Sequence, residues 1–257
     1  MRCLRYQMKN SSRFEFSVLG VLLLFVVWFV VSKLVSSDLV FPGPEKVLLH
    51  SYRLLVEGKL LEPVGLTFLR AFFGMGLALL VGTILGFLMG LSERIYLLLQ
   101  PLNMAIRSVP IVSWLSTVIL AWGIGWRGVV FIVFVSLLPI VTFNVCEGVR
   151  VVDKKLVEMA KVYSLPKWKI FRAIYMGSVW PFLLSSLKLS IGSMWKVAIV
   201  AEYLIGETGL GVQIMQAKFY VNTTEVFSYT VVAVAFGLIL EALFSFLWER
   251  GSFEVHS

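Results

Sequence analysis

The chain of 257 residues is 59% hydrophobic and only 15% charged, with a mean hydropathy of +0.89. A soluble globular domain is about half apolar and about a quarter charged, so these proportions exclude one and predict an all-α polytopic membrane protein. The formal charge of +8 would suit a nucleic-acid binder, but the basic residues cluster beside apolar runs, as they do in cytoplasmic loops, so no nucleic-acid partner is expected.

The basic opening MRCLRYQMKNSSR and the apolar run after it resemble a secretion signal. The run is long enough to span a bilayer and no small-residue cleavage site follows, so it reads as an uncleaved first span. Six spans are expected in all, over residues 16–35, 64–91, 101–122, 129–146, 179–203 and 227–248. Residues 1–15 and 251–257 read as tails, and 16–250 as one transmembrane domain with a polar loop at 147–175.

Between the first two spans, FPGPEK breaks any helix and a short surface helix is expected after it. In the second span Gly82, Gly86 and Gly90 recur every four residues, with Gly74 further up the same face. That spacing lets another helix approach closely, and internal packing is the reading it supports. Pro110 and Pro139 interrupt the third and fourth spans and hint at bends. Gly206, Gly209 and Gly211 are expected to shape a turn after the fifth span.

Charge orients the chain. An N-terminus inside puts Arg2, Arg5, Lys9, Arg13, Arg94, Arg250 and seven basic residues from Arg150 to Arg172 in the cytoplasm. Only Lys46, Arg53, Lys59, Arg127 and Lys218 then lie outside, with Lys33 at the edge. The positive-inside rule therefore places both termini in the cytoplasm. Cys3 and Cys146 fall near segments assigned to that side and have no metal-type spacing, so neither a disulfide nor a metal site is expected.

The stretch LVEMAKVYSLPKWKI, residues 156–170, is unusual between two apolar runs. Leu156, Met159, Ala160 and Tyr163 follow the i, i+3, i+4, i+7 rule of one helical face, with Glu158 and Lys161 on the other side. Ser164 can cap a second helix that has Pro166 in its first turn. Such a helix-turn-helix suits either an interfacial helix resting on lipid headgroups or a docking element for a cytoplasmic partner.

The same loop resembles a motif of the permease subunits of binding-protein-dependent ABC importers, E-A-A-x3-G-x9-I-x-L-P. Here Glu158, Met159 and Ala160 are followed after three residues by Ser164, then after nine by Ile174, Tyr175, Met176 and Gly177. The spacing is kept, while Met159, Ser164, Met176 and Gly177 depart from the consensus; Pro181 matches a second proline that often follows. The resemblance runs from Thr67 to Leu243 through TFLRAFFGMGLALLVGTILGFLMG, PLNMAIRSVPIVSWLSTVILAWGIG, WKVAIVAEYLIG and ETGLGVQIMQA. Together these look like the nitrate, sulfonate, taurine and thiamine-precursor branch of that family.

The resemblance implies an inner-membrane permease working as two copies, with a separate ATPase subunit that binds the ATP and an exported substrate-binding protein. It implies no cofactor in this chain, and it assigns Glu158, Met159, Ala160 and Ser164 to the helix that docks into the ATPase. It leaves the solute open among nitrate, alkanesulfonates, taurine and a thiamine-precursor pyrimidine. It also commonly places a glutamate at Glu202.

Ionisable residues inside a span cost about 2.5–3.5 kcal/mol each at the helix centre, so each needs a reason. In the fifth span Ser185, Lys188, Gly192, Lys196 and Tyr203 fall on one face at about 100° per residue. They read as the lining of a translocation path that tilts toward an anion, or as lysines that snorkel to opposite surfaces. Arg107 is shallow enough to snorkel, and Glu241 can pair or face the cytoplasm. Glu202, at the outer end of the same span, is a candidate for gating or for pairing with a neighbouring base.

What is absent also narrows the function. No G-x-x-x-x-G-K-[ST], H-E-x-x-H or G-x-S-x-G occurs, which argues against an ATPase, a zinc protease or a serine hydrolase, so the chain is not expected to be an enzyme. A stand-alone secondary transporter is the remaining alternative, without the internal symmetry that would favour it.

Overall fold

The computed structural model describes residues 10–35 and 37–253, and among them there are helices and no strands. Helix α1 covers Asn10–Val35, α2 Pro44–Val56, α3 Leu61–Leu91, α4 Glu93–Ser108, α5 Ile111–Trp122 and α6 Trp126–Arg150. Then follow α7 (Lys154–Val162), α8 (Lys167–Ile170), α9 (Met176–Ile205), α10 (Leu210–Phe219) and α11 (Thr223–Phe253).

Four stretches are long and apolar enough to cross a membrane: Leu61–Leu91, Trp126–Arg150, Lys167–Ile205 and Thr223–Phe246. A shorter apolar helix occupies Leu19–Val35. The expected span over 101–122 is instead a broken pair, α4 and α5, bent by 96°. Val109 is extended (φ −71°, ψ 124°), the conformation that the ring of Pro110 enforces on the residue before it. At about 18 Å, the twelve residues of α5 are too short to cross a core of about 30 Å alone. Pro139 does not break α6, which stays one helix with Pro139 buried in it.

Helix α6 is the centre of the bundle: 67% of its most apolar stretch is buried, against 33% for the corresponding stretch of α3 and 17% for α11. It is clasped between α3 and α9. The glycine ladder explains the first contact. A Cβ at Gly74 would lie 2.6 Å from Val133 Cβ, at Gly82 2.8 Å from Val141 Cβ, and at Gly86 2.7 Å from Val145 Cβ. Gly90 meets Val149 in the same way. Each glycine is offset from its valine by the same length of chain, so α3 and α6 run parallel in one register. On the other side, Met194, Ala198, Ala201 and Ile205 of α9 join Ala71, Met75 and Ala78 of α3 in one apolar core with α6.

Helix α11 is more loosely held. Trp195 Nε1 donates to the Ala233 carbonyl at 2.9 Å, and Ser228 Oγ donates to Val47 O of α2 at 3.1 Å. The surface helix expected after FPGPEK is α2, which starts with Pro44 at its first turn and buries Val47 and Leu54. The second half of the helix-turn-helix is continuous with the fifth span: α8 passes through a π-helical turn, Phe171–Tyr175, directly into α9.

Candidate functional site

At the α7 end of the bundle, Asp153 caps α7 by accepting the Lys155 N–H at 2.9 Å. The helix closes on Ser164, which lies in the left-handed region at φ 53°. The Leu165 N–H donates to Ala160 O at 3.0 Å and the Ser164 N–H to Lys161 O at 2.9 Å. This pair of bonds is a Schellman closure with Ser164 in the position that glycine usually fills. The expectation that Ser164 caps the second helix is thereby corrected: α8 has Pro166 at its N-cap, and Ser164 ends the first helix. The turn that a glycine would make is kept, at a steric cost that glycine avoids.

Helix α7 is exposed over most of its surface. Only Ala160 is buried. Leu156, Met159 and Tyr163 point outward, with Met159 54% and Tyr163 75% exposed. Glu158 and Lys161 are exposed as well, and with Lys154, Arg150 and Glu93 they line an open groove of about 540 Å³. Arg150 is fixed there by Glu93, at 3.1 Å, and by the ring of Tyr96, at 4.1 Å. Helix α7 therefore touches the body of the protein through Ala160 and the half-buried Val157 and leaves its other apolar and charged side chains open.

Along α9, Ser185, Lys188 and Lys196 are exposed and Gly192 is half-buried. Ser185 Oγ donates to Pro181 O at 2.9 Å. Lys188, Gly192 and Lys196 share a groove of about 330 Å³ with Glu241 of α11. A second hollow of about 360 Å³ shares Gly192, Lys196 and Glu241 and extends to Trp195 and Thr230. No salt bridge is formed by either lysine among the described residues.

Glu202 lies apart from that groove and is fully buried. Its Oε1 pairs with Arg70 Nη1 at 2.7 Å, and its Oε2 accepts from Thr67 Oγ1 at 2.6 Å and from the Gly211 N–H at 3.2 Å. Thr67 Oγ1 also accepts the Leu210 N–H at 2.9 Å. Arg70 continues to Thr208, donating to its carbonyl and, at 2.6 Å, to its Oγ1. Both carboxylate oxygens of Glu202 and both Nη atoms of Arg70 have partners, which favours keeping two charges out of water. The network ties α3 to the end of α9 and to the turn at Gly206–Gly209. Arg70, Thr67 and Thr208 were not anticipated from the sequence. The signal was an arginine inside an apolar span, which calls for a partner.

Among the described residues no group of three or more His, Cys, Asp or Glu side chains could hold a metal.

Residues 78–250 match the family model described as binding-protein-dependent transport system inner membrane component. The chain is 26% identical over 254 residues to the nitrate import permease protein NrtB of Synechocystis sp., covering 93% of this chain and 92% of that protein. It is 23% identical over 256 residues to the taurine transport system permease protein TauC of Escherichia coli, covering 97% and 90%. Among solved structures, it resembles a chain of a bacterial ABC transporter involved in import of the acidic polysaccharide alginate, with a TM-score of 0.61, 12% identity and coverage of 94% and 98%. That likeness concerns the fold.

Proposed function

The chain belongs to the family of binding-protein-dependent transport system inner membrane components, and from that premise we propose that it imports a small anionic solute as a homodimer driven by a separate ATPase subunit. As an ABC transporter permease it does no bond-making chemistry of its own; its work is conformational. A substrate-binding protein delivers the solute on the outside, and both termini lie in the cytoplasm.

The observation that carries this reading is the exposure of the apolar side chains of α7. A short helix that turns Leu156, Met159 and Tyr163 away from its own protein is built to fill a groove on another one. Ala160 seats the helix on the body, and the Ser164 closure fixes the angle at which the chain returns to the membrane. Because α8 continues through a π-helical turn into α9, a push that α7 passes through that closure reaches the fifth span.

The open face of α9 supports the rest. Lys188 and Lys196 within a span are costly against lipid, so that face is best covered by a water-filled path shared with a second copy. Ammonium groups there favour an anion, with Ser185 and Gly192 on the same wall. Glu202 serves that path indirectly, as a positioning residue that holds the outer turn.

The test is co-purification of the ATPase encoded beside this chain from membranes, comparing the unmodified permease with Met159→Asp and Glu158→Lys. Loss of the ATPase from Met159→Asp, with the permease still inserted, is expected. Equal recovery from both variants would overturn the docking role of α7.

A further inference from the structure

We propose that the groove at the α8–α9 junction holds an anionic phospholipid of the leaflet on the α7 side. It measures about 560 Å³ and is lined by Trp168, Phe171, Arg172, Met176, Gly177 and Trp180. It belongs neither to the α7 cavity nor to the α9–α11 groove, and the inference is independent of which solute is carried.

The lining divides by depth. Trp168, Arg172, Met176 and Trp180 recur every four residues along the continuous helix and so share one side of it. Trp180 lies at the start of the fifth span, where tryptophan marks the boundary between hydrocarbon and headgroups. Arg172 starts about 12 Å nearer the aqueous side, and its long stem can bring the guanidinium back to the headgroup phosphates. Trp180 and Met176 offer an apolar trough for the start of an acyl chain, the guanidinium is placed for the phosphate, and Trp168 and Phe171 wall the groove on the aqueous side. Trp168 and Phe171 stack at 5.9 Å, which stiffens the upper wall. Gly177 is the floor: a Cβ there would meet no atom within 4 Å.

The occupant follows from charge and from geometry. Trp168 and Trp180 are 65% and 52% exposed, a large aromatic surface at the two ends of the groove. None of the six lining residues is acidic, and Lys167 and Lys169 flank the groove. From Val151 to Ala201 the only acidic residues are Asp153 and Glu158, both on the α7 side of the turn. A basic rim above an aromatic trough complements an anionic headgroup joined to an acyl chain, and a zwitterionic headgroup loses most of that attraction. The π-helical turn at Phe171–Tyr175 widens the helix where the headgroup would sit. A bound lipid would then brace the joint between α7 and α9.

The experiment uses the full chain in nanodiscs of equal phosphatidylglycerol and phosphatidylcholine, with the lipids that stay bound read by native mass spectrometry after release. Unmodified protein should retain phosphatidylglycerol in preference. Arg172→Gln should lower that preference roughly fivefold. Gly177→Leu, which fills the trough where there is room for it, should lower retention of both lipids. Lys59→Gln, at the opposite end of the molecule, should change neither. Equal retention of the two lipids by unmodified protein, or no effect of Arg172→Gln, would overturn the proposal. So would displacement of the lipid by a saturating amount of the ATPase subunit, since the groove would then belong to that partner.

Discussion

Arg70 and Glu202 are 132 residues apart in the chain and 2.7 Å apart in the fold, and they join the first half of α3 to the last turn of α9 through a buried ion pair. Thr67, Thr208 and the Gly211 amide complete the pair, so its loss would leave an uncompensated charge away from water. Removing one partner of such a pair costs about 3–5 kcal/mol. Arg70→Ala should therefore lower the thermal midpoint of the detergent-purified protein sharply. The double variant Arg70→Leu, Glu202→Leu should recover part of that loss. A single variant that melts with the unmodified protein would show that the pair is not what holds the turn.

Ser164 holds a conformation that costs an L-residue about 1–2 kcal/mol. Ser164→Gly should relieve this and tighten the closure of α7. Hydrogen exchange of the amides from 154 to 165 is the readout, and protection should rise. Faster exchange in the glycine variant would mean that the serine hydroxyl contributes more than the strain removes.

Gly86 and Gly76 are a matched pair on α3. A Cβ at Gly86 would lie 2.7 Å from the Thr142 carbonyl oxygen, which cannot move aside, while at Gly76 it would meet nothing within 4 Å. Gly86→Ala should cost about 1–3 kcal/mol by overpacking. Gly76→Ala should be neutral, or stabilising by up to about 1 kcal/mol through helix propensity. Equal midpoints for the two variants would dismiss the parallel α3–α6 register as the source of stability.

Lys188 and Lys196 should matter to transport by their charge. In vesicles holding the assembled complex, Lys196→Gln should slow uptake of an anionic solute by about tenfold, equivalent to about 1.4 kcal/mol. Lys196→Arg should retain most of it, and the recovery of assembled complex should hold in both. Unchanged uptake after replacing both lysines with glutamine would move the path away from this face of α9.

The sequence by itself determined the membrane class, the positions of the long apolar helices, the glycine face of α3 and the polar helix-turn-helix between the fourth and fifth spans. These depend on composition and on periodicity, which are local along the chain. It also placed Ser185, Lys188, Gly192 and Lys196 on one side of one helix, because 100° per residue is a property of the helix alone. Tertiary structure decided what lies opposite. It matched Gly74, Gly82, Gly86 and Gly90 to valines of α6, turned Glu241 toward Gly192, and gave Arg70 to Glu202. It also decided that Pro110 breaks a span and Pro139 does not: Pro110 lies exposed between two helices, and Pro139 is buried within α6. Such facts join residues far apart in the chain, and only burial and contact in the folded bundle can select them.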